Sequence, residues 1–160
     1  MKFDPKIHHR RSIRLKGYDY SQPGVYFITM DTYNKEQLLG EVIDGLMYLS
    51  QAGKILSYVW SDLPIHYPNV CLDSFCVMPD HFHGIIQLNE VNAGSYPHPL
   101  SEIVRALKAF SAKRINVLRK TPGQQVWQRN YYEHIIRDAV EWEQIRAYID
   151  ENPQKWERRE

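Results

Sequence analysis

Cysteine is scarce in this chain of 160 residues, which contains only Cys71 and Cys76. The two lie five residues apart in a segment with strand character, so we expect their side chains on opposite faces and no bond between them. Two isolated thiols also fall short of the ligand set of a structural zinc site. The sequence therefore excludes a disulfide framework and favours buried thiols of a reducing compartment.

Long apolar runs are also missing, since none approaches the roughly 20 residues that a membrane-spanning helix requires. The basic N-terminus is not followed by the apolar stretch of a signal peptide. We therefore expect no membrane partner and a cytoplasmic location. With 43% hydrophobic and 12% aromatic residues, the composition is that of one globular domain.

Acidic residues are unevenly distributed, and the net charge of +1 hides two basic blocks. Residues 1–20 contain six basic and two acidic side chains, whereas residues 105–120 contain six basic and no acidic ones. Concentrated positive charge suits a phosphate-binding surface, although a solvated face without a partner would give the same pattern. The candidates in these blocks are Arg10, Arg11, Arg14, Lys16, Arg105, Lys108, Lys113 and Arg114.

Strand and helix signals alternate along the chain. Strands are predicted at 25–30, 37–43, 46–49, 70–78 and 81–88, with Asp44-Gly45 as a hairpin turn. Helices are predicted from about 50 to 63, from Ser101 to about 120, and from the Asp138 capping box to Pro153. Four or five mostly antiparallel strands with long helices predict an α+β fold with the helices packed on one face of the sheet. Residues 1–20 would form a basic arm and residues 21–160 a single domain.

A His-apolar-His triplet, His81-Phe82-His83, lies in the last predicted strand. Side chains alternate along a strand, so both imidazoles point to one face and Phe82 points to the other. Two adjacent imidazoles suit a divalent metal if a third ligand comes from elsewhere. A pair of surface histidines without a ligand is the alternative interpretation.

A tyrosine and an asparagine share one edge of the last predicted helix. Tyr148 and Asn152 are four residues apart, beside the apolar stripe of that helix. The amide oxygen of Asn152 could complete a site for Mg²⁺ or Mn²⁺, and the Tyr148 phenol could attack a phosphate polarised by that ion. Packing at the edge of the core remains the alternative for Tyr148, and a plain helix C-terminus remains the alternative for Asn152.

Several motifs together resemble the single-tyrosine HUH (His-hydrophobic-His) transposases, and most of all the REP-associated tyrosine transposases. The resemblance spans nearly the whole chain and is clearest in three segments. These are the Arg10-Arg11-Ser12-Ile13-Arg14-Leu15 stretch, the histidine strand from Val77 to Ile86, and the run from Trp127 to Arg137. It is completed by Tyr148-Ile149-Asp150-Glu151-Asn152-Pro153, which places a tyrosine four residues before a polar residue.

The resemblance implies a ferredoxin-like antiparallel sheet whose C-terminal helix carries the catalytic tyrosine. It implies Tyr148 as the nucleophile and His81, His83 and Asn152 as the ligands of Mg²⁺ or Mn²⁺. The implied substrate is single-stranded DNA, often hairpin-forming, which is cleaved to a 5′-phosphotyrosine and then rejoined. The implied assembly is a monomer or a homodimer.

Other interpretations stay open at this point. A host-adopted DNA-binding protein could keep the fold without active transposition, a metal-dependent hydrolase could use the histidine pair, and a structural domain would use neither. Tyr131 and Tyr132 are expected to pack or to stack on bases. His134 and Arg137 are candidate DNA contacts, although structural hydrogen bonds would explain them equally well.

Overall fold

The computed structural model describes Tyr18 and residues 22–157, so the predicted basic arm, with Arg10, Arg11, Arg14 and Lys16, lies outside the described residues. Six strands and three α-helices occur in the described part. The strands are β1 (Gly24–Asp31), β2 (Gly40–Ile43), β3 (Leu46–Leu49), β4 (Val70–Val77), β5 (His81–Leu88) and β6 (Tyr132–Ile136). The helices are α1 (Gln51–His66), α2 (Leu100–Arg119) and α3 (Ala139–Glu157). None of these helices has the length and apolarity that a membrane crossing requires.

Four strands form one antiparallel sheet in the order β4-β5-β1-β6, while β2 and β3 form a separate hairpin. Helix α1 lies between the hairpin and β4 in the chain, and α2 connects β5 to β6, which gives the ferredoxin-like order of elements. The hairpin turns at Asp44 and Gly45, whose φ angles of 51° and 75° are the left-handed values that a two-residue turn needs. The predicted α+β class and antiparallel sheet are therefore confirmed.

Helices cover both faces of the sheet, whereas one covered face was predicted. Helices α1 and α2 pack on the face formed by Tyr26, Ile28, Phe82 and Ile86. Helix α3 packs on the opposite face, where Ile145 and Ile149 contact Phe27, Ile85 and Ile136. The reason is that β1 and β5 carry large apolar side chains on both faces, so a single helical layer would leave one face uncovered.

Two helices continue past the prolines that were predicted to end them. Helix α1 runs through Pro64 to His66, and α3 runs through Pro153 to Glu157. A proline removes one intrahelical hydrogen bond and crowds the preceding turn, but packing of the following turn can offset that cost. The turn after Pro153 places the Trp156 ring near His81, at a centroid separation of 6.1 Å.

Helix α2 begins one residue before the predicted Ser101, and its buried face also differs from the predicted one. The core side of α2 consists of Leu100, Ile103, Val104, Leu107, Ser111, Ile115 and Asn116. Helical spacing of the apolar residues predicts a core face of Ile103, Leu107, Phe110 and Val117, but Phe110 and Val117 are 48% and 74% exposed. Phe110 instead stacks on the His66 imidazole of α1.

A β-bulge in β4 reorients the middle of that strand. Leu72 pairs with Ile86 and Phe75 pairs with Gly84, so β4 has one residue more than β5 between the two pairs. The extra residue puts Cys71 and Cys76 on the same face, although a spacing of five predicts opposite faces in a regular strand. Both cysteines are free. Burial raises the pKa of the Cys76 thiol to about 12, so it stays protonated, and Cys71 is exposed although a buried thiol was predicted.

The bulge also presents Asp73 to helix α3. Arg146 donates two hydrogen bonds of 2.8 Å to the Asp73 carboxylate, and the Trp142 indole N–H donates a third of 3.0 Å. The hydrogen bond from Arg146 outweighs partial burial and lowers the Asp73 pKa to about 2. This clamp fixes α3 against β4, about three turns before the end of the helix that carries Asn152.

Replacing Asp73 with Asn should destabilise the fold at neutral pH because the clamp loses its charge. A carboxyl whose pKa falls from 3.8 to about 2 on folding contributes stability above its unfolded pKa. After a discount for solvent screening, we expect a loss of ~1–2 kcal/mol in the free energy of unfolding at pH 7. Urea denaturation should show the difference from the parent shrinking as the pH falls from about 4 to about 2. A difference that stays constant over this range would contradict the assignment.

Candidate active site

His81 and His83 lie on the same face of β5, as strand alternation requires. Each is only 5% exposed, and their ring centroids are 4.6 Å apart. Phe82 and Gly84 point to the opposite face, where the Trp60 ring of α1 packs so closely that a Cβ atom on Gly84 would lie 2.6 Å from it. The packing of α1 thus fixes the strand from behind and holds both imidazoles toward α3.

The His83 ring is held by β1, the neighbouring strand. Thr29 is the register partner of His83, and its Oγ1 lies 2.8 Å from His83 Nδ1. The Phe27 ring stacks on the imidazole at a centroid separation of 5.4 Å. In the tautomer whose Nδ1–H donates to Thr29, the lone pair of Nε2 faces away from the strand and toward the Tyr148 hydroxyl.

The His81 ring is held by the residue before it. Asp80 Oδ1 lies 2.6 Å from His81 Nδ1, and Lys35 Nζ lies 3.8 Å from Asp80 Oδ2. Burial alone would raise the Asp80 pKa, but the hydrogen bond to His81 and the charges of His81 and Lys35 outweigh it and lower that pKa. Asp80 is therefore an anion that orients His81 and leaves Nε2 available.

Tyr148 of α3 lies directly over the histidine pair. Its hydroxyl oxygen is 3.5 Å from His83 Nε2, and its ring packs edge-on against His83 and Phe27. Lys155 Nζ lies 5.5 Å from the centre of the Tyr148 ring, which places a positive charge beside the phenol. The contact between Tyr148 and His83 thus brings together α3 and β5, two elements that are far apart in sequence.

Asn152 lies between the two points at which α3 approaches the histidines. One turn earlier Tyr148 contacts His83, and one turn later Trp156 approaches His81. Asn152 is 3% exposed, and its Nδ2 donates to the Tyr148 backbone oxygen over 3.3 Å. That hydrogen bond leaves the amide oxygen, Oδ1, for another ligand.

The donor set fits a hard or borderline divalent ion. In the part of the chain that the structure describes, no three His, Cys, Asp or Glu side chains are grouped as metal ligands. A third donor beside the two imidazoles must therefore be of another type, and the Asn152 amide oxygen is such a donor. The nearest thiol, Cys76, pairs with His83 in the sheet but is protonated and hydrogen-bonds within its own strand.

The other candidate tyrosines have different surroundings. Tyr132 opens β6 on the α3 face and packs edge-on against Phe27, at 6.2 Å. Burial, with Glu141 and Tyr148 nearby, raises the Tyr132 pKa to about 12, which makes its phenol a poor nucleophile. The Tyr131 hydroxyl donates to Glu133 over 2.9 Å. Trp127 is buried and donates to Ser111, as expected of a core residue.

The predicted DNA-contact residues do not lie on one surface. Arg105, Lys113 and Arg114 are exposed on α2, and therefore on the side of the sheet away from the histidines. Lys108 is engaged internally, because its ammonium donates to three successive backbone carbonyls, those of residues 128, 129 and 130. His134 lies 2.9 Å from the Glu141 carboxylate at the start of α3, and Arg137 is exposed beside it. The role of these residues in DNA binding stays a prediction.

Sequence reasoning missed the residues that orient the site. Asp80 directly precedes the triplet, so a carboxylate next to a candidate ligand was an available signal. Thr29 and Phe27 are more than 50 residues away and come into contact only through the pairing of β1 with β5. Lys155 was also missed, although its position seven residues after Tyr148 places both on one side of a helix.

Comparison with known proteins places the sequence in a transposase family. The profile of the IS200-like transposase family matches residues 65–152, which include β4, β5, α2, β6 and most of α3. The matched segment covers more than half of the chain and contains the histidine pair, Tyr148 and Asn152. The chain belongs to the IS200-like family of DNA transposases.

Individual proteins support this membership. A Haemophilus influenzae protein of uncharacterised function is 40% identical over 98% of this chain and 94% of its own length. A second protein from that organism, named "Putative REP-associated tyrosine transposase", is 25% identical over 86% of this chain and 74% of its own. A solved REP-associated tyrosine transposase, bound to a REP hairpin, shares the fold with a TM-score of 0.65. It is 20% identical, and the match covers 91% of this chain and 74% of that one.

Replacing Thr29 with Val should leave His83 Nδ1 without its hydrogen-bond partner at nearly constant side-chain volume. We expect the free energy of unfolding to fall by about 1–3 kcal/mol, because a buried polar nitrogen loses its partner. Thr29→Ser keeps the hydroxyl and is the matched control. Nitrogen NMR of the imidazole should show a single His83 tautomer in the parent and in Thr29→Ser, and a mixture in Thr29→Val. Identical spectra for the two variants would show that Thr29 does not orient the ring.

Proposed function

We propose that this transposase cleaves and rejoins single-stranded DNA through a 5′-phosphotyrosine on Tyr148, with a divalent metal as cofactor. The observation that carries the proposal is the position of the Tyr148 hydroxyl, 3.5 Å from His83 Nε2 and over a pair of oriented imidazoles. The neighbouring Tyr132 is a poorer nucleophile, because burial raises its pKa to about 12.

The chemistry is an exchange of one phosphate ester for another. The Tyr148 oxygen forms a bond to phosphorus and loses its proton, while the bond to the 3′ oxygen breaks and that oxygen gains a proton. The product is a 5′-phosphotyrosine and a free 3′-OH. Rejoining is the reverse attack by a 3′-OH, so the ester bond is conserved and no nucleotide cofactor is required.

His81, His83 and Asn152 would hold Mg²⁺ or Mn²⁺. When bound, the ion would neutralise charge on the phosphate and polarise it for attack. Asp80 and Thr29 contribute by fixing the ring nitrogens that face the site. The Lys155 ammonium, beside the Tyr148 ring, adds positive charge where a phosphate would approach.

The DNA is proposed to be single-stranded and hairpin-forming. The structural relative with a TM-score of 0.65 is itself bound to a REP hairpin, and its fold matches over 91% of this chain. Exposed basic residues on α2, with no acidic residue between 105 and 120, supply a surface for phosphates. Both features favour a nucleic-acid substrate with folded and unpaired parts.

Replacing Tyr148 with Phe should abolish the covalent protein–DNA adduct while DNA binding changes little, because only the nucleophilic oxygen is lost. The measurement is a denaturing gel of the protein incubated with labelled single-stranded DNA and Mn²⁺. Tyr132→Phe is the matched control and should keep the adduct. An adduct that survives in Tyr148→Phe and disappears in Tyr132→Phe would move the nucleophile to β6 and refute the proposal.

Removal of the divalent ion with a chelator should stop cleavage, and Mg²⁺ or Mn²⁺ should restore it. Asn152→Ala should raise the metal concentration needed for half-maximal cleavage by about tenfold, because one of three protein ligands is lost. Its affinity for DNA, measured in chelator, should change far less. Gln154→Ala, an exposed change one half-turn away, is the control. Full cleavage in the presence of chelator would rule out the metal-dependent mechanism.

A further inference from the structure

A cleft of about 480 Å³ lies between helix α2 and the segment at residues 124–131. Its buried lining is apolar and includes Val104, Val126 and Trp127, with Ala112 half-buried beside them. Its exposed lining includes Ala109 and the polar and basic side chains of Gln124, Arg105 and Arg129. An apolar interior with polar groups at its edge suits a ligand with an apolar ring.

The charge of the cleft is entirely positive. No Asp or Glu lines it, and Arg105 and Arg129 are both exposed. Within the described residues neither guanidinium forms an ion pair, whereas Arg119 and Arg146 are paired with Glu36 and Asp73. The two unpaired guanidinium groups are therefore available for anionic groups of a ligand in the cleft.

The rim beside Arg129 is fixed by Lys108. The Lys108 ammonium donates to the carbonyls of Gln128, Arg129 and Asn130 over 2.8, 3.3 and 3.0 Å, and it lies 5.6 Å from the centre of the Tyr131 ring. Three hydrogen bonds from one side chain hold three consecutive peptide groups against α2. The cleft is thus organised before any ligand binds.

The cleft adjoins the catalytic end of the sheet. The Gln128 N–H donates to the Asp31 carbonyl over 2.9 Å, and Trp127 bridges to Thr32. Asp31 is in turn the register partner of His81. A single strand that passes the histidines would therefore need only to round the end of β1 to reach the cleft on the other face.

We propose that this cleft binds one unstacked nucleobase of the single-stranded DNA, with the flanking phosphates on Arg105 and Arg129. An apolar interior lined also by an amide and by two cations matches the chemistry of a nucleotide whose base has left the stack. A neutral apolar ligand would leave the guanidinium groups unused, and a free anion would leave the apolar interior exposed. The assignment rests on the proposed function, because it adds a substrate-binding position to the same reaction.

The test distinguishes the contribution of the base to binding affinity from the contribution of the phosphates. Two probes are used with the full chain in chelator: oligothymidylate, and a strand of the same length whose sugars are abasic. The parent should bind oligothymidylate about tenfold more tightly, since stacking of a base in a pocket contributes on this scale. Ala109→Phe, which fills the cleft from an exposed position, should bind both probes equally. Val117→Phe places the same benzyl side chain at an exposed residue of α2 outside the cleft and should keep the tenfold preference.

The guanidinium groups are tested on the same probes. Arg129→Gln should weaken binding of both strands by a similar factor, because both retain their phosphates. Lys113→Gln removes the same charge from an exposed position of α2 outside the cleft, and it should have a smaller effect. Thermal unfolding of each variant confirms that it is folded.

The outcomes distinguish this inference from the proposed function. Retention of the base preference by Ala109→Phe, or its loss in Val117→Phe, would overturn the nucleobase cleft while the Tyr148 adduct persists. Failure of the parent to bind either probe, together with absence of the adduct, would overturn the proposed function itself. A preference for the base that only Ala109→Phe removes would support the cleft.

Discussion

The pairing of β1 with β5 is the constraint on which the rest of the structure depends. Its register places Thr29 opposite His83 and Asp31 opposite His81, and it fixes which side of β5 meets which helix. A shift of one residue would turn the histidines toward α1 and Phe82 toward α3. Large apolar residues on both faces oppose that shift, since Tyr26, Ile28, Phe82 and Ile86 fill the α1 and α2 side. The core thus determines the geometry of the candidate site.

Burial of two imidazoles is costly unless their nitrogens have partners, and the structure supplies a different partner to each ring. His81 is held by the Asp80 carboxylate and His83 by the Thr29 hydroxyl. The partner of the first ring is an anion and the partner of the second ring is neutral, so the two imidazoles differ in the charge beside them. The Tyr148 phenol lies beside the ring with the neutral partner, because its hydroxyl oxygen is 3.5 Å from His83 Nε2.

Local patterns predicted most of the elements but not strand β6, and long-range contacts account for what they missed. Strand β5 has the predicted bounds, the Asp44-Gly45 turn joins β2 to β3, and the Glu141 N–H donates to Asp138 at the start of α3. Each of these depends on neighbours in sequence. The bulge that turns Cys76 to the face of Cys71 depends instead on how β4 pairs with β5, which spacing within β4 does not reveal.

For the candidate site residues too, some positions could be predicted from local sequence patterns and others depended on long-range contacts. Strand alternation put His81 and His83 on one face, and helical spacing put Tyr148 and Asn152 on one edge, so the two halves followed from sequence. Their meeting required α3 to cross the face of the sheet opposite α1 and α2. Nothing in the apolar pattern of α3 distinguishes that face from the other. The orienting residue Thr29 was equally hidden, because only the fold brings β1 beside β5.

The two faces of the sheet separate two requirements of a transposase. The α3 face holds Tyr148, the proposed nucleophile, on a helix that Trp142 and Arg146 clamp to Asp73 of β4, so the phenol is positioned by rigid contacts. The α2 face carries exposed cations and an apolar cleft, which suit contacts with a flexible strand. The two surfaces meet at the end of β1, where the Gln128 N–H donates to the carbonyl of Asp31. Asp31 is the register partner of His81. The proposed cleavage and the proposed binding of single-stranded DNA can therefore depend on different side chains, although both surfaces are built on the backbone of β1.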